Sequence, residues 1–224
     1  MKIEKDLEDF LEKVVPILEE KWQLETNPDY KYTKKDKIRK LWLAYMIAED
    51  SHIWQERKGG DPYFSWHVRE VALTTIWFEN PTFESIIIAL LHDTVEDTKL
   101  STWSIWNLFW NYITKSVLAL SKDEWVFDNT LYYENLKHWD KNQRMVKVAD
   151  RIHNLSTIDC LPIDKIKRKL EQSIKYIYPI ANWATKIWKE MLYKEFDRLN
   201  SKFNFNINLP KMNLNNLEVL WVST

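Results

Sequence analysis

The residues with the clearest capacity for chemistry lie in the segment LLHDTVEDT, residues 90–98. His92 and Asp93 are adjacent at the end of an apolar run. Glu96 and Asp97 follow them, each at a distance of four positions, so each acid would lie one helical turn beyond a candidate metal ligand. Ionisable groups at the edge of a core are costly unless they are compensated, and a divalent cation would compensate them. The alternative is a helix end whose acids are simply solvated.

A second group of polar residues lies in RMVKVADRIHNLSTI, residues 144–158. Asp150, Asn154 and Thr157 have the spacing i, i+4, i+7, which places them in one stripe along a helix, and Lys147 extends that stripe. The other faces of this helix are rich in Val, Ile and Leu. The pattern predicts a helix that lines a pocket, and the alternative is a helix edge with an ordinary ion pair.

A third segment, ERKGGDPYFSWHVREVA, contains a glycine loop between residues 56 and 72. Arg57 and Lys58 open the loop, and His67 begins the helix that follows it. Two adjacent cations beside a turn suit a phosphorylated ligand, and an arginine can also stack on a base. Solvated surface is the alternative interpretation.

In chain order the three segments read His … His-Asp … Asp, which resembles the HD phosphohydrolase superfamily. More narrowly, HDTVEDT together with KVADRIHN resembles the hydrolase domain of the RelA/SpoT-type alarmone enzymes and of their small stand-alone relatives, over roughly residues 45–160. The Glu-Asp pair after the His-Asp dyad is the specific part of this resemblance. It implies an all-α fold and the Mn²⁺-dependent hydrolysis of guanosine 3′,5′-bis(diphosphate), ppGpp, or of the corresponding pentaphosphate, pppGpp. The predicted products are pyrophosphate and GDP, or GTP from the pentaphosphate.

Carried over position by position, the resemblance also implies roles for individual residues. The metal ligands would be His67, His92, Asp93 and Asp150; the acids that position and deprotonate the attacking water would be Glu96 and Asp97; the nucleotide pocket would be lined by Arg57, Lys58, Lys147, Asn154 and Thr157. Two imidazoles and two carboxylates leave room for water and substrate oxygen on an octahedral ion such as Mn²⁺. Glu96 would accept the water proton, whereas Asp97 would either orient Glu96 or bind the water itself.

One departure from the family concerns His67. The family pattern is Pro-Tyr-x-x-His, but here three residues separate Tyr63 from His67, and the extra residue threatens the ligand role of His67. Two other functions therefore stay open: hydrolysis of another nucleotide, such as NADPH or a nucleoside phosphate, and a non-catalytic nucleotide sensor. His52, His138 and His153 receive no catalytic role; His153 is placed on the side of its helix opposite Asp150, where we expect a structural hydrogen bond.

Composition restricts the classes of protein that the chain can belong to. Its 224 residues carry 32 Lys and Arg against 33 Asp and Glu, so no basic field indicates a nucleic-acid partner. A single cysteine cannot form an internal disulfide. No run of residues approaches the roughly 18 apolar residues of a membrane span, and the charged N-terminus does not resemble a signal peptide. We expect a cytoplasmic protein without a membrane partner.

Helical spacing of the apolar residues predicts a compact, all-α, HD-type bundle that forms one domain. Three parts are expected: an N-terminal helical segment over residues 1–40, the hydrolase core over 41–160, and C-terminal helices with an Asn-rich tail over 161–224. That last part is too short for a synthetase domain, so none is expected. The tail is a candidate strand, extended arm or interface, through which the chain would form a homo-oligomer.

Local signals predict where individual helices begin and end. The second helix is expected to continue to about Arg57, and Asn80 is expected to cap a buried helix that has Pro81 at its first position. A long helix is predicted over residues 131–158, and Pro179 is expected to separate the two helices that follow.

Glycine and tryptophan usage is abnormal. At the average glycine frequency of about 7%, a chain of this length would contain roughly 16 glycines. It contains 2, together with 13 tryptophans. We infer that many Trp positions are UGA codons that the source organism reads as glycine; the resemblance agrees, since the family carries glycines where this chain has Trp54 and Trp110. The alternative is a core that is rich in tryptophan.

Overall fold

The computed structural model describes residues 2–21, 33–78, 80–122, 130–181 and 186–210, and these ranges form helices without any β-strand. The α-helices of these ranges are α1 Lys2–Glu20, α2 Lys34–Ser51, α3 Arg69–Ile76, α4 Phe83–Leu91, α5 Thr94–Asp97, α6 Thr102–Leu108, α7 Asn111–Leu120, α8 Thr130–Asn135, α9 Lys141–Ser156, α10 Ile163–Gln172, α11 Tyr178–Ala181 and α12 Lys186–Phe203. Two π-helical turns, Phe64–Val68 and Ser173–Ile177, and two 3₁₀ turns, Leu136–His138 and Ile158–Cys160, complete the helical segments. The predicted all-α fold is confirmed.

Helix α4 is the centre of the core. It is apolar on every side, and all of its residues except Glu84 are buried. A helix of this kind must be surrounded by others, and α2, α3, α7 and α9 pack around it. Helix α1 packs on α2 and α3, and α12 packs on α9. The C-terminal end of α4 therefore delivers the residues that follow Leu91 to the middle of the bundle.

Capping side chains set the starts of α2, α4, α6 and α9. Two of these starts, those of α4 and α9, differ from the prediction. Thr82, rather than Asn80, caps α4: its hydroxyl accepts from the Ser85 N–H at 3.0 Å, and Ser85 Oγ accepts from the Thr82 N–H at 3.0 Å. Asn80 has φ +56°, a left-handed conformation that asparagine tolerates, so the predicted Asn-Pro start is wrong.

The long helix predicted over residues 131–158 is also interrupted. Asp140 caps a new helix, α9, by accepting from the Gln143 N–H at 3.0 Å. Helix α2 ends at Ser51 rather than near Arg57, because the chain then turns into a loop that is closed by a bridge between Glu56 and Pro62.

Pro179 does not separate two helices as predicted. It lies inside α11, which continues directly from α10 through the π-helical turn Ser173–Ile177. A proline ring clashes with the carbonyl four residues earlier in an α-helix. The wider π-helical turn immediately before Pro179 gives that carbonyl a different position, so the chain stays helical.

The described part of the tail folds back on α12. The side chain of Asn200 makes two hydrogen bonds to the backbone of Ile207. Its Nδ2 donates to the Ile207 carbonyl at 3.1 Å, and its Oδ1 accepts from the Ile207 N–H at 3.0 Å. Residues 205–210 form neither helix nor strand, and Asn204 and Asn206 have the left-handed φ values +51° and +55°. The rest of the predicted tail lies outside the described residues. None of the helices in the described ranges has the length and apolar character needed to cross a membrane.

Tryptophan side chains are mostly on the surface, which argues against a Trp-rich core. Six of the described tryptophans are exposed, namely Trp42, Trp54, Trp66, Trp77, Trp103 and Trp106. Trp54 is 90% exposed, whereas Trp188 is 2% exposed and packs against Phe78 with a ring separation of 4.4 Å. Large apolar rings that stay exposed to solvent contribute no burial to a core.

The gene sequence tests this interpretation. We expect UGA codons at Trp54, Trp110 and most of the exposed positions. Trp188 is the internal control, since a glycine there would leave a cavity in the core, and we expect UGG at that position. UGG at every exposed position would contradict the interpretation.

Candidate metal centre and adjoining cleft

His67 reaches the centre of the molecule because a π-helical turn absorbs the extra residue that precedes it. Residues Phe64–Val68 form this turn directly before α3. A π-helical turn is the usual way in which one inserted residue is accommodated within a helix, and such turns often occur at functional sites. His67 remains buried, and its Nε2 lies 3.2 Å from Asp93 Oδ2.

Three side chains from two parts of the fold meet at one point. Ligand atoms of His67, His92 and Asp93 all lie within 4.8 Å of one another, which is close enough to hold one ion. His92 is the residue at the C-terminal end of α4, and Asp93 follows it at the start of α5. The burial of α4 therefore extends to His92, whereas Asp93 is partly exposed.

Asp150 on α9 completes the predicted set of ligands. Its Oδ1 lies 3.5 Å from His67 Nε2 and 4.0 Å from His92 Nε2. Its other oxygen accepts from Lys147 Nζ at 3.0 Å, and Asn154 Nδ2 donates to Oδ1. Lys147 thus contacts a predicted ligand directly, and its ammonium group holds the pKa of the buried Asp150 carboxyl well below its usual range even though burial alone would raise it.

The arrangement fits a divalent cation. His92 Nε2 is buried, lies 3.1 Å from Asp93 Oδ2, and has no hydrogen-bond partner among the described residues. The other nitrogen of His92, Nδ1, lies 2.7 Å from the Ala89 carbonyl oxygen, to which it can only donate. The lone pair of Nε2 is therefore free to bind a metal, and oxygen ligands from Asp93 and Asp150 lie beside it.

Glu96 and Asp97 are held by different neighbours. Glu96 Oε2 accepts from the backbone N–H of Lys122 at 2.8 Å, and burial raises the pKa of this carboxyl. Asp97 Oδ2 lies 2.9 Å from the hydroxyl of Tyr63, and that hydroxyl is also 2.7 Å from Asp93 Oδ2. Partial burial and the nearby Asp93 carboxylate raise the pKa of Asp97.

The polar stripe of α9 meets the glycine loop in a cleft of about 630 Å³. Arg57 donates to Asn154 Oδ1 at 3.1 Å and to Thr157 Oγ1 at 3.0 Å, and Lys58 lines the same cleft. Because Asn154 also donates to Asp150, a continuous chain of hydrogen bonds runs from the cleft to the candidate metal ligands. Four of the five predicted pocket residues therefore lie together, and the fifth, Lys147, lies behind Asp150.

Several residues of the site carry no role in the sequence-based prediction. Tyr63 joins Asp93 to Asp97, and its position four residues before His67, on the same helical turn, is the signal that would have identified it. Lys165, Arg168 and Lys169 of α10 add positive charge to the cleft. These three residues lie far in sequence from the motifs, so the sequence pattern did not identify them as part of the site.

The predicted position of His153 is wrong. Residues three positions apart lie on neighbouring parts of a helix surface, so His153 is on the same side of α9 as Asp150. Both residues contact the ring of His67. Asp150 lies beside Nε2 of His67, and Nδ1 of His153 lies 2.9 Å from Nδ1 of His67. Burial and the neighbouring His67 and Arg57 side chains lower the pKa of His153 to about 3.

Sequence comparison relates the chain to bacterial alarmone enzymes, although no family model matches it. The bifunctional (p)ppGpp synthase/hydrolase SpoT of Escherichia coli strain K12 is 31% identical over 165 residues, which are 67% of this chain and 22% of that protein. The chain belongs to the HD-type RelA/SpoT family. The GTP pyrophosphokinase rsh of Brucella melitensis is 38% identical over 149 residues, which are 62% of this chain and 19% of that protein.

A solved structure supports the fold of this RelA/SpoT-type domain. The structure is described as a metazoan orthologue of SpoT that hydrolyses ppGpp, and it superposes with a TM-score of 0.64 at 20% identity. The match covers 71% of this chain and 94% of that structure. The chain spans about a fifth of the length of the curated relatives that it matches.

Replacing Tyr63 with phenylalanine tests the connection between the candidate ligand Asp93 and Asp97 of the acid pair. We expect Y63F to weaken Mn²⁺ binding by about tenfold or more, because the hydroxyl that orients Asp93 is lost. Isothermal titration calorimetry on the purified protein measures the effect. Y178F is the matched control, since the ring of Tyr178 packs against Phe196. Equal Mn²⁺ affinities of Y63F and the unmodified protein would contradict the proposed orienting role.

Proposed function

We propose that the chain is a Mn²⁺-dependent pyrophosphohydrolase that converts guanosine 3′,5′-bis(diphosphate) and water to GDP and pyrophosphate. The observation that carries this proposal is the position of the cationic cleft, which opens beside the cluster of His67, His92, Asp93 and Asp150. Relatives in Escherichia coli O157:H7 and Shigella flexneri, each 31% identical, are named guanosine-3′,5′-bis(diphosphate) 3′-pyrophosphohydrolase. These names provide the substrate class.

The four clustered groups would hold the ion. A bound Mn²⁺ would supply Lewis-acid polarisation of the phosphoryl group and a nucleophile at neutral pH. His67 and His92 would bind it through Nε2, and Asp93 and Asp150 through carboxylate oxygens. Lys147 keeps Asp150 ionised, and Asn154 limits the rotation of its carboxylate, so the ligand set is already oriented before substrate arrives.

The remaining residues would act on water and on the nucleotide. Glu96 would accept the proton of a water molecule whose oxygen attacks the phosphorus bound to the ribose O3′; the P–O3′ bond breaks, and O3′ takes up a proton as pyrophosphate leaves. The Lys122 N–H restricts the Glu96 carboxylate, and Tyr63 restricts Asp97. Arg57 and Lys58 would bind the nucleotide with Asn154 and Thr157, replacing the hydrogen bonds that Arg57 now makes.

Replacing Glu96 with glutamine tests the proposed base. We expect E96Q to lower kcat for pyrophosphate release from ppGpp by about 10²- to 10⁴-fold, because glutamine cannot accept the proton. The protein is assayed with Mn²⁺ and with glycine at any UGA-encoded positions. E84Q, at the opposite end of α4, is the matched control. Unchanged turnover by E96Q would contradict the role of Glu96, and no release by a folded, Mn²⁺-loaded protein would contradict the substrate.

The pH dependence should follow from the environment of the same carboxyl. Burial raises the pKa of Glu96 above its usual value, and only its deprotonated form can act as a base. As the pH falls, kcat should therefore decrease at a higher pH than it would if the base were an exposed glutamate. A kcat profile whose acidic limb lies at the pKa of an exposed glutamate would contradict this.

A further inference from the structure

His67 uses both of its ring nitrogens, and its second partner has no role in the proposed reaction. Nε2 faces Asp93 and Asp150, whereas Nδ1 lies 2.9 Å from Nδ1 of His153. The two rings are 5.0 Å apart and inclined by 52°, so the contact is made edge to edge through nitrogen rather than by stacking.

The chemistry of imidazole decides which nitrogen carries each proton. A neutral imidazole has one N–H and one acceptor nitrogen, and a metal binds only the acceptor. If His67 binds the ion through Nε2, its proton lies on Nδ1, and the facing Nδ1 of His153 must accept it. The proton of His153 then lies on its own Nε2.

His92 shows the same arrangement with a simpler partner. Its Nδ1 donates to the Ala89 carbonyl, which fixes the proton and leaves Nε2 as the ligand atom. A metal-binding histidine usually donates its other N–H in this way, and the partner sets both the tautomer and the ring orientation. His67 lies in a π-helical turn, and in the described part of the chain the partner of its Nδ1 is His153 rather than a backbone carbonyl.

We propose that His153 is a positioning residue that holds His67 as the Nδ1–H tautomer and so directs the Nε2 lone pair at the divalent ion. This inference rests on the proposed metal-dependent function, because that function provides the ion. His153 touches neither the ion nor the substrate and acts through His67 alone. Its neighbour in the helix, Asn154, orients the other side of the site through Asp150.

Two substitutions separate the hydrogen bond from the bulk of the ring. In H153N the side-chain oxygen lies close to the position of Nδ1 and can accept from His67, whereas H153L has a similar size and cannot. We expect H153L to weaken Mn²⁺ binding by about ten- to a hundredfold, and H153N to restore most of that loss. H138L, at an exposed histidine, is the matched control and should leave the affinity unchanged.

The protonation of the ring provides a readout that a purely structural role would not change. In the Zn²⁺-loaded protein, ¹⁵N NMR of the histidine rings should show His67 bound through Nε2 with the proton on Nδ1, and the same state in H153N. In H153L, the ring of His67 should no longer show this single protonation state. The proposal is overturned if H153L retains both the metal affinity and the His67 tautomer of the unmodified protein. It is also overturned if folded H153N binds Mn²⁺ as weakly as folded H153L, or if the unmodified protein binds neither Mn²⁺ nor Zn²⁺. An unmodified protein that binds Mn²⁺ but leaves ppGpp intact contradicts the proposed substrate and not the role of His153.

Discussion

The structure depends on how two imidazoles and two carboxylates are kept together in the interior of a helical bundle. His67 and His92 have 1% and 3% of their surfaces exposed, and Asp150 has 5%. Burying charged or polar groups is costly unless each has a partner. Here the partners are the other members of the cluster, together with Lys147, Asn154, Tyr63 and His153 around its edge. Within this cluster, His92 Nε2 has no hydrogen-bond partner among the described residues, and a cation would complete the set there.

Three local features of the chain bring these groups together. The apolar helix α4 must be surrounded on all sides, so the His-Asp dyad at its end is carried into the interior. The π-helical turn before α3 returns His67 to the same point in spite of the extra residue. Helix α9 supplies Asp150 and then continues its polar stripe into the cleft, where Asn154 and Thr157 meet Arg57. Metal site and cleft are thus two ends of one helix face.

Much of this could be predicted because helical periodicity is a strong local signal. The dyad, the stripe from Asp150 to Thr157 and the buried character of α4 all follow from spacing alone. The caps of α4 and α9 were also readable, since Thr82 and Asp140 each precede a partner by three positions, but the prediction relied on Asn80 and on an uninterrupted helix. The π-helical turn was not readable, because the contacts that favour it come from Asp93, Asp150 and His153, which lie far from it in sequence.

The central claim is that these four residues bind one divalent ion. Anomalous diffraction from a crystal of the Mn²⁺-loaded protein, measured at the manganese absorption edge, tests it most directly. We predict a single strong peak within bonding distance of His67 Nε2, His92 Nε2 and carboxylate oxygens of Asp93 and Asp150. A saturated crystal without a peak there, or with manganese bound only elsewhere, would contradict it.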